Sequence, residues 1–326
     1  MQLMTWLNPI FTMLASIFQK ILAVSLVFGT VITPSTATPI KAVNPDTVRL
    51  TFTALGDTQV NAFNGNMKYF EAVLKDVDAA ETNQDAFMIV GDITENSLPQ
   101  EWSFIKETLL NYDFGDDLIF ASGNHDIRLR KYDESVKLLT DCVNDITGSD
   151  LDSFIYSKEI NGYKFIVMGS DREEMEEAYI SVEQLKWVDA ELKDATRLGK
   201  PAFVILHQPL KNTHGLPGTW GDGSNPDAGH VGKQSDLIYT TLNKYNNVIL
   251  ITGHLHTGFG VNSYEKIGNI HGVNVPGAGK NNKDGDYCEF STGYSVEVYD
   301  DEVIFRARDY AKGEYLPEYD IYIPVE

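Results

Sequence analysis

From residue 48 onward, short apolar runs alternate with stretches whose apolar positions recur every three or four residues. Residues 48–55, 86–90 and 118–121 are rich in β-branched and aromatic side chains and read as buried strands. Between them, 67–78 and 101–110 carry apolar side chains at helical spacing. Strands and helices alternating at this pitch predict βαβ units and a mainly parallel sheet. In the second half, 154–160 and 163–168 are strands joined across Asn161-Gly162, a dipeptide that accepts the left-handed conformations of a tight hairpin. Residues 182–198 form a long amphipathic helix that stops near Gly199 and Pro201, and 202–206 and 248–251 are buried strands. From about Ile267 the chain turns β-rich, with 294–299 and 302–306 flanking Asp300-Asp301. The tyrosine-rich stretch 310–322 is expected at the edge of the second sheet, and acidic 172–177 as a solvated helical face. The fold class is α/β, two packed sheets with helices outside.

Residues 3–31 are mostly apolar with Lys20 as the single charge, and small residues follow up to Ala37. A positive residue, an apolar run and a small-residue stretch suit a secretory signal peptide with cleavage near Ala37. Residues 10–32 are also long enough to span a bilayer, so an uncleaved membrane anchor fits as well. The expected organisation is an export segment over 1–37, a linker over 38–47 and one folded domain over 48–326. Either reading exports the domain, secreted or attached to the outer face of the cytoplasmic membrane.

Of the 326 residues, 43% are hydrophobic and 22% charged, an ordinary globular composition. The net charge of −21 argues against nonspecific nucleic-acid binding. It also repels an anionic substrate unless bound divalent cations reverse the local field. Cys142 and Cys288 belong to no CxxC pair; one disulfide or two separate thiols are both open.

Five short segments follow predicted strands, where open α/β sheets place ligands. They are Gly56-Asp57-Thr58-Gln59, Gly91-Asp92-Ile93-Thr94-Glu95, Gly123-Asn124-His125-Asp126, Leu206-His207-Gln208-Pro209 and Gly253-His254-Leu255-His256. Glycine lets the chain turn sharply out of a strand and brings the next side chain towards a shared centre. Carboxylates, amide oxygens and imidazoles together suit Mn, Fe or Zn.

This ordered set resembles that of the calcineurin-like metallophosphoesterases, which runs D-x-H, GD, GN-H-(D/E), H and G-H-x-H. The resemblance covers Thr51 to about Gly258. It implies a four-layer α/β/β/α sandwich of two mixed sheets flanked by helices, housing two divalent or trivalent transition-metal ions. One ion would be held by Asp57, Asp92 and His256, and the other by Asp92, Asn124, His207 and His254. His125 would face the substrate, Glu95 would orient that histidine, and Asp126 would support it. Gln59 stands where the first block normally has histidine. A neutral, harder amide oxygen at that ligand position favours Mn. The implied chemistry is in-line attack on phosphorus by a hydroxide that the two cations bridge.

Glu95 occupies the place of a tyrosine found in purple acid phosphatases, so a phosphodiesterase is the expected activity. A broad exported phosphomonoesterase, or a cell-surface binding protein with a vestigial metal site, are the alternatives. The substrate expected is a phosphate-ester small molecule or a cell-envelope phosphodiester. The long loop 211–232, which follows His207, is expected over the metal centre. Trp220 there offers a face for a base or sugar. His214 and His230, with no motif behind them, read as ordinary loop residues beside it.

Overall fold

The computed structural model describes residues 37–61, 63, 65–215 and 228–326, so the expected export segment before residue 37 and Trp220 lie outside the described residues. Contacts divide the chain into 1–37 and 38–326, and the fold below is that of 38–326.

The first half supplies β1 (Leu50–Leu55), α1 (Met67–Asp78), β2 (Ala86–Val90), α2 (Pro99–Leu109), β3 (Asp117–Ala121), the short α3 (Asn124–Ile127) and α4 (Tyr132–Thr147). The hairpin β4 (Tyr156–Ile160) and β5 (Tyr163–Val167) follows, its turn made by Asn161 and Gly162 at φ 50° and 77°. After it come α5 (Val182–Ala195), β6 (Ala202–Ile205), α6 (Ser235–Leu242), β7 (Val248–Thr252), β8 (Tyr264–Ile267) and β9 (Ile270–Asn274). The chain ends with β10 (Thr292–Val298), β11 (Glu302–Asp309), β12 (Glu314–Tyr315) and β13 (Ile321–Pro324).

One sheet has the order β12-β11-β10-β1-β2-β3, with β13 also on β11; the other runs β4-β5-β6-β7-β9-β8. β1, β2 and β3 are parallel, as are β5, β6, β7 and β9, while β10 joins β1 antiparallel. Both sheets are therefore mixed. Phe52 and Ala54 meet Phe165, Phe203 and Ile251 between the sheets. On the far side of the first sheet, Phe87, Ile89 and Phe120 pack with Phe70 and Val73 of α1, Ile105 of α2 and Leu139 of α4. On the far side of the second, Val204 and Leu250 pack with Val188 of α5 and Ile238 of α6. Covering on both faces explains why the central strands are apolar throughout rather than alternating.

Three expectations change, and the open question of the cysteines closes. The stretch 310–322 completes the first sheet, because β10 and β11 return to β1 and carry β12 and β13 with them. Residues 172–177 form bends rather than a helix. Cys142 and Cys288 are both free, and burial pushes the Cys142 thiol up to about 12. The expected linker 38–47 is held against the domain. Thr38 N donates to Gly313 O at 2.8 Å, and Ile40 sits in the core under α1. The Thr38 carbonyl accepts from the buried Arg308, which pairs with Asp76 at 2.6 Å. Two prolines, Pro39 and Pro45, do not make a free linker when Ile40 and Ala42 between them are buried.

Candidate metal centre

Asp57 follows β1, Asp92 follows β2, Asn124 and His125 follow β3, His207 follows β6, and His254 and His256 follow β7. These parallel strands all present their C-terminal ends to one place. The sharp exits need uncommon backbone. Asp57, Gln59, Asp92, His254 and His256 stand at φ 50°, 39°, 48°, 69° and 52°, each costing about 1 kcal/mol or more outside glycine. Gly123 permits the closest approach: a Cβ there would meet Asp92 Oδ1 at 2.1 Å.

Two buried groups of ligand atoms result, Asp92–His207–His254 and Asp57–Asp92–His256, each with its atoms within 4.8 Å of one another. Asp92 belongs to both, the role expected of a bridging carboxylate. Main-chain carbonyls fix the ring orientation of two of the histidines. His207 Nδ1 donates to the Val90 carbonyl at 2.6 Å, leaving the Nε2 lone pair 3.3 Å from Asp92 Oδ1. His254 Nε2 donates to the Ala228 carbonyl at 2.6 Å, which leaves its lone pair on Nδ1. His256 Nε2 lies 3.2 Å from Asp57 Oδ1. His207 Nε2, Asp92 Oδ2 and Asn124 Oδ1 are buried without a hydrogen-bond partner. Three such atoms gathered at one buried place are what a cation requires, so the residues fit two metal ions.

The electrostatics agree. Burial works against charge on His207, yet the carboxylates of Asp92 and Asp57 outweigh it and raise the imidazole to about 9. Burial likewise opposes charge on Asp92, but His207 and His125 hold its carboxyl well below the usual range. Burial and the neighbouring His207 push His254 down to about 3. Two carboxylates and three imidazoles out of water form a site that attracts positive charge.

The sequence profile of calcineurin-like phosphoesterases matches residues 50–258. The chain belongs to that family. Over 191 residues it is 22% identical to a 3',5'-cyclic-nucleotide phosphodiesterase of Nostoc sp. (strain PCC 7120), a match spanning 58% of this chain and 62% of that protein. The chain thus spans less than two thirds of that curated relative's length. A dimetal phosphatase from Danio rerio shares the fold at a TM-score of 0.58 and 13% identity, covering 86% of this chain and 100% of that one. A purple acid phosphatase from yellow lupin does so at 0.58 and 12%, covering 84% and 53%.

Within this phosphoesterase, His125 stands beside the ligand groups, its Nε2 3.8 Å from Asp92 Oδ2. Its Nδ1 lies 2.7 Å from the main-chain carbonyl of Glu95 and 3.6 Å from that residue's carboxylate. Of the two Glu95 groups, the main-chain carbonyl makes the closer contact. Arg128 Nη2 also approaches Nδ1, at 2.9 Å. One nitrogen cannot donate to a carbonyl and accept from a guanidinium together; the shorter contact sets the proton on Nδ1. Asp126 accepts from the amides of Gly123, Ile93 and Thr94 and from the Thr94 hydroxyl, at 2.9–3.2 Å. It braces the second block against the third and touches no ligand position, so it is a support rather than a catalytic group.

Gln59 is fully buried, and its main-chain N–H donates to the Asp92 carbonyl at 2.8 Å. The loop histidines separate from the centre. His214 Nδ1 donates to the Asn262 carbonyl at 3.0 Å and its ring lies against Gly272 of β9. His230 Nδ1 accepts from Gly232 N at 3.0 Å. Neither joins the two ligand groups. Sequence reasoning missed Glu176 and Arg128, which reach the site from a bend and from the end of α3.

Proposed function

We propose that this phosphoesterase is a dinuclear-metal phosphodiesterase working outside the cytoplasm. Asp57, Gln59, Asp92 and His256 would hold one ion; Asp92, Asn124, His207 and His254 would hold the other. When bound, the cations supply Lewis acidity towards the phosphoryl oxygens and a water of lowered pKa. The chain's own residues do the rest. Val90 O fixes the His207 tautomer, and Glu95 O does so for His125. With its proton held on Nδ1, His125 presents Nε2 to the leaving oxygen and, once doubly protonated, delivers a proton there.

The observation that carries this reading is Asp92, one buried carboxylate common to both ligand groups. The diester preference is supported by the Nostoc relative and by Glu95 in the second block. The preference for Mn is supported by Gln59, a hard neutral donor where an imidazole is usual. Export is supported by the apolar run before Ala37, as a cleaved signal or as an anchor, with the folded domain following.

The test is metal analysis of the full chain with hydrolysis of bis-(p-nitrophenyl) phosphate against p-nitrophenyl phosphate under added Mn. Two Mn per chain and faster diester turnover are expected. Fewer than one metal with no turnover of either ester overturns the enzymatic reading; faster monoester turnover overturns the diesterase. His125→Ala is expected to keep its metals and lose turnover by roughly 10²–10⁴-fold.

A further inference from the structure

Asn124 is nearly fully buried, and its amide has one way round. Nδ2 lies 3.2 Å from the Met175 carbonyl and 3.0 Å from Glu176 Oε2. Both neighbours are pure acceptors, so the flipped amide would face oxygen with oxygen; the NH2 must point to them. Oδ1 is thereby turned the other way, buried and with no hydrogen-bond donor on it. The Glu176 carboxylate is itself clamped. Oε1 takes Arg128 Nη1 at 3.1 Å, and Gln208, next to His207, donates to the Glu176 carbonyl at 2.9 Å.

We propose that Glu176 is a positioning residue for this phosphoesterase, setting the Asn124 carbonyl for the metal ion it shares with His207 and His254. The inference rests on the dinuclear reading and adds to it an element from outside the five blocks. Arg128 has two parts in it. It holds the carboxylate in place and cancels a negative charge that would otherwise repel a phosphate ester. Because the same guanidinium stands 2.9 Å from His125 Nδ1, Arg128 links the bend that holds Asn124 to the histidine beside the centre.

The test is titration of the metal-stripped full chain with Mn, read by calorimetry. In the wild type two sites are expected. Glu176→Ala is expected to weaken one of them about 10–100-fold, the usual loss when the group orienting a ligand is removed, and to leave the other unchanged. Glu176→Gln, which keeps an acceptor for Asn124, is expected to restore that site to within about threefold of wild type. Asn124→Ala is expected to weaken the same site, with Glu176→Ala adding little on top of it. Unchanged affinities in Glu176→Ala, equal weakening of both sites through a general loss of folding, or a Gln variant no better than Ala would each overturn the role. A wild type that takes up no Mn would overturn the dinuclear reading instead, and this proposal with it.

Discussion

His214 offers a prediction about folding that is independent of the metal ions. Its ring is buried under β8 and β9; Asn262 O accepts from Nδ1, Glu265 accepts from its main-chain amide, and Gly272 faces the ring edge. Burial is the main cause of a shift that carries the imidazole down to about 4 from 6.5, opposed by the Asn262 bond and the charge of Glu265. A histidine lowered in this way is neutral in the native protein and protonated earlier in the unfolded chain. Between about pH 6.5 and pH 4 the unfolded state binds more protons, so stability is complete above 6.5 and declines as pH falls through that window. The drop from 6.5 to about 4, at about 1.4 kcal/mol per pH unit, bounds the loss at about 3–4 kcal/mol. By pH 4.5 about 2–3 kcal/mol of that should be gone. His214→Asn keeps a donor where Nδ1 stands, tolerates the left-handed backbone at φ 53°, and cannot titrate. Urea unfolding of both proteins from pH 8 to pH 4.5 measures the difference, since every other titrating group is common to the two. The wild type's advantage over the variant should shrink by about 2–3 kcal/mol on acidification. An advantage constant across that range would refute the reasoning, because the buried ring would then titrate as an exposed one does.

Further outcomes concern the centre and the segment 38–47, which is strapped against the domain through Ile40 and the Thr38 main chain. Asp92→Asn should remove a ligand common to both ions, dropping bound Mn below one per chain and abolishing turnover, as metal analysis beside the diester assay will read. Gln59→His should strengthen the first site for Zn over Mn in competitive titration, since imidazole is the softer donor; an unchanged preference would take Gln59 out of the ligand set. A chain begun at Val43 should be less stable to urea than one begun at Thr38 by about 2–4 kcal/mol, the cost of an emptied Ile40 site. Equal midpoints would show that the strap contributes nothing to the core.

The candidate ligands stood out in sequence because each follows within four residues of a strand whose apolar run is unmistakable, most of them behind a glycine that marks the turn. The β4–β5 hairpin was legible for a similar reason, in Asn161-Gly162. What was hidden is what depends on distance. β10 returns to pair with β1 across more than two hundred residues of chain, and no local pattern announces that register. α4 was overlooked although Leu139 and Val143 lie at helical spacing, because Thr, Asp and Asn dilute the stripe they form. Glu176 looked like one acid among several in a charged run. Its meaning comes only from Asn124, fifty-two positions earlier. The strap was misread because prolines signal a break in regular structure and say nothing about whether the residues between them are buried.

The left-handed positions around the centre have a consequence for how such a protein ages in evolution. At His254 and His256, glycine would relax the main chain while deleting an imidazole. Asp57 and Asp92 differ, because each accepts from a main-chain amide, that of His254 at 3.1 Å and that of His125 at 2.9 Å. A lineage released from metal binding would shed the two histidines first and keep the two carboxylates as braces of the fold.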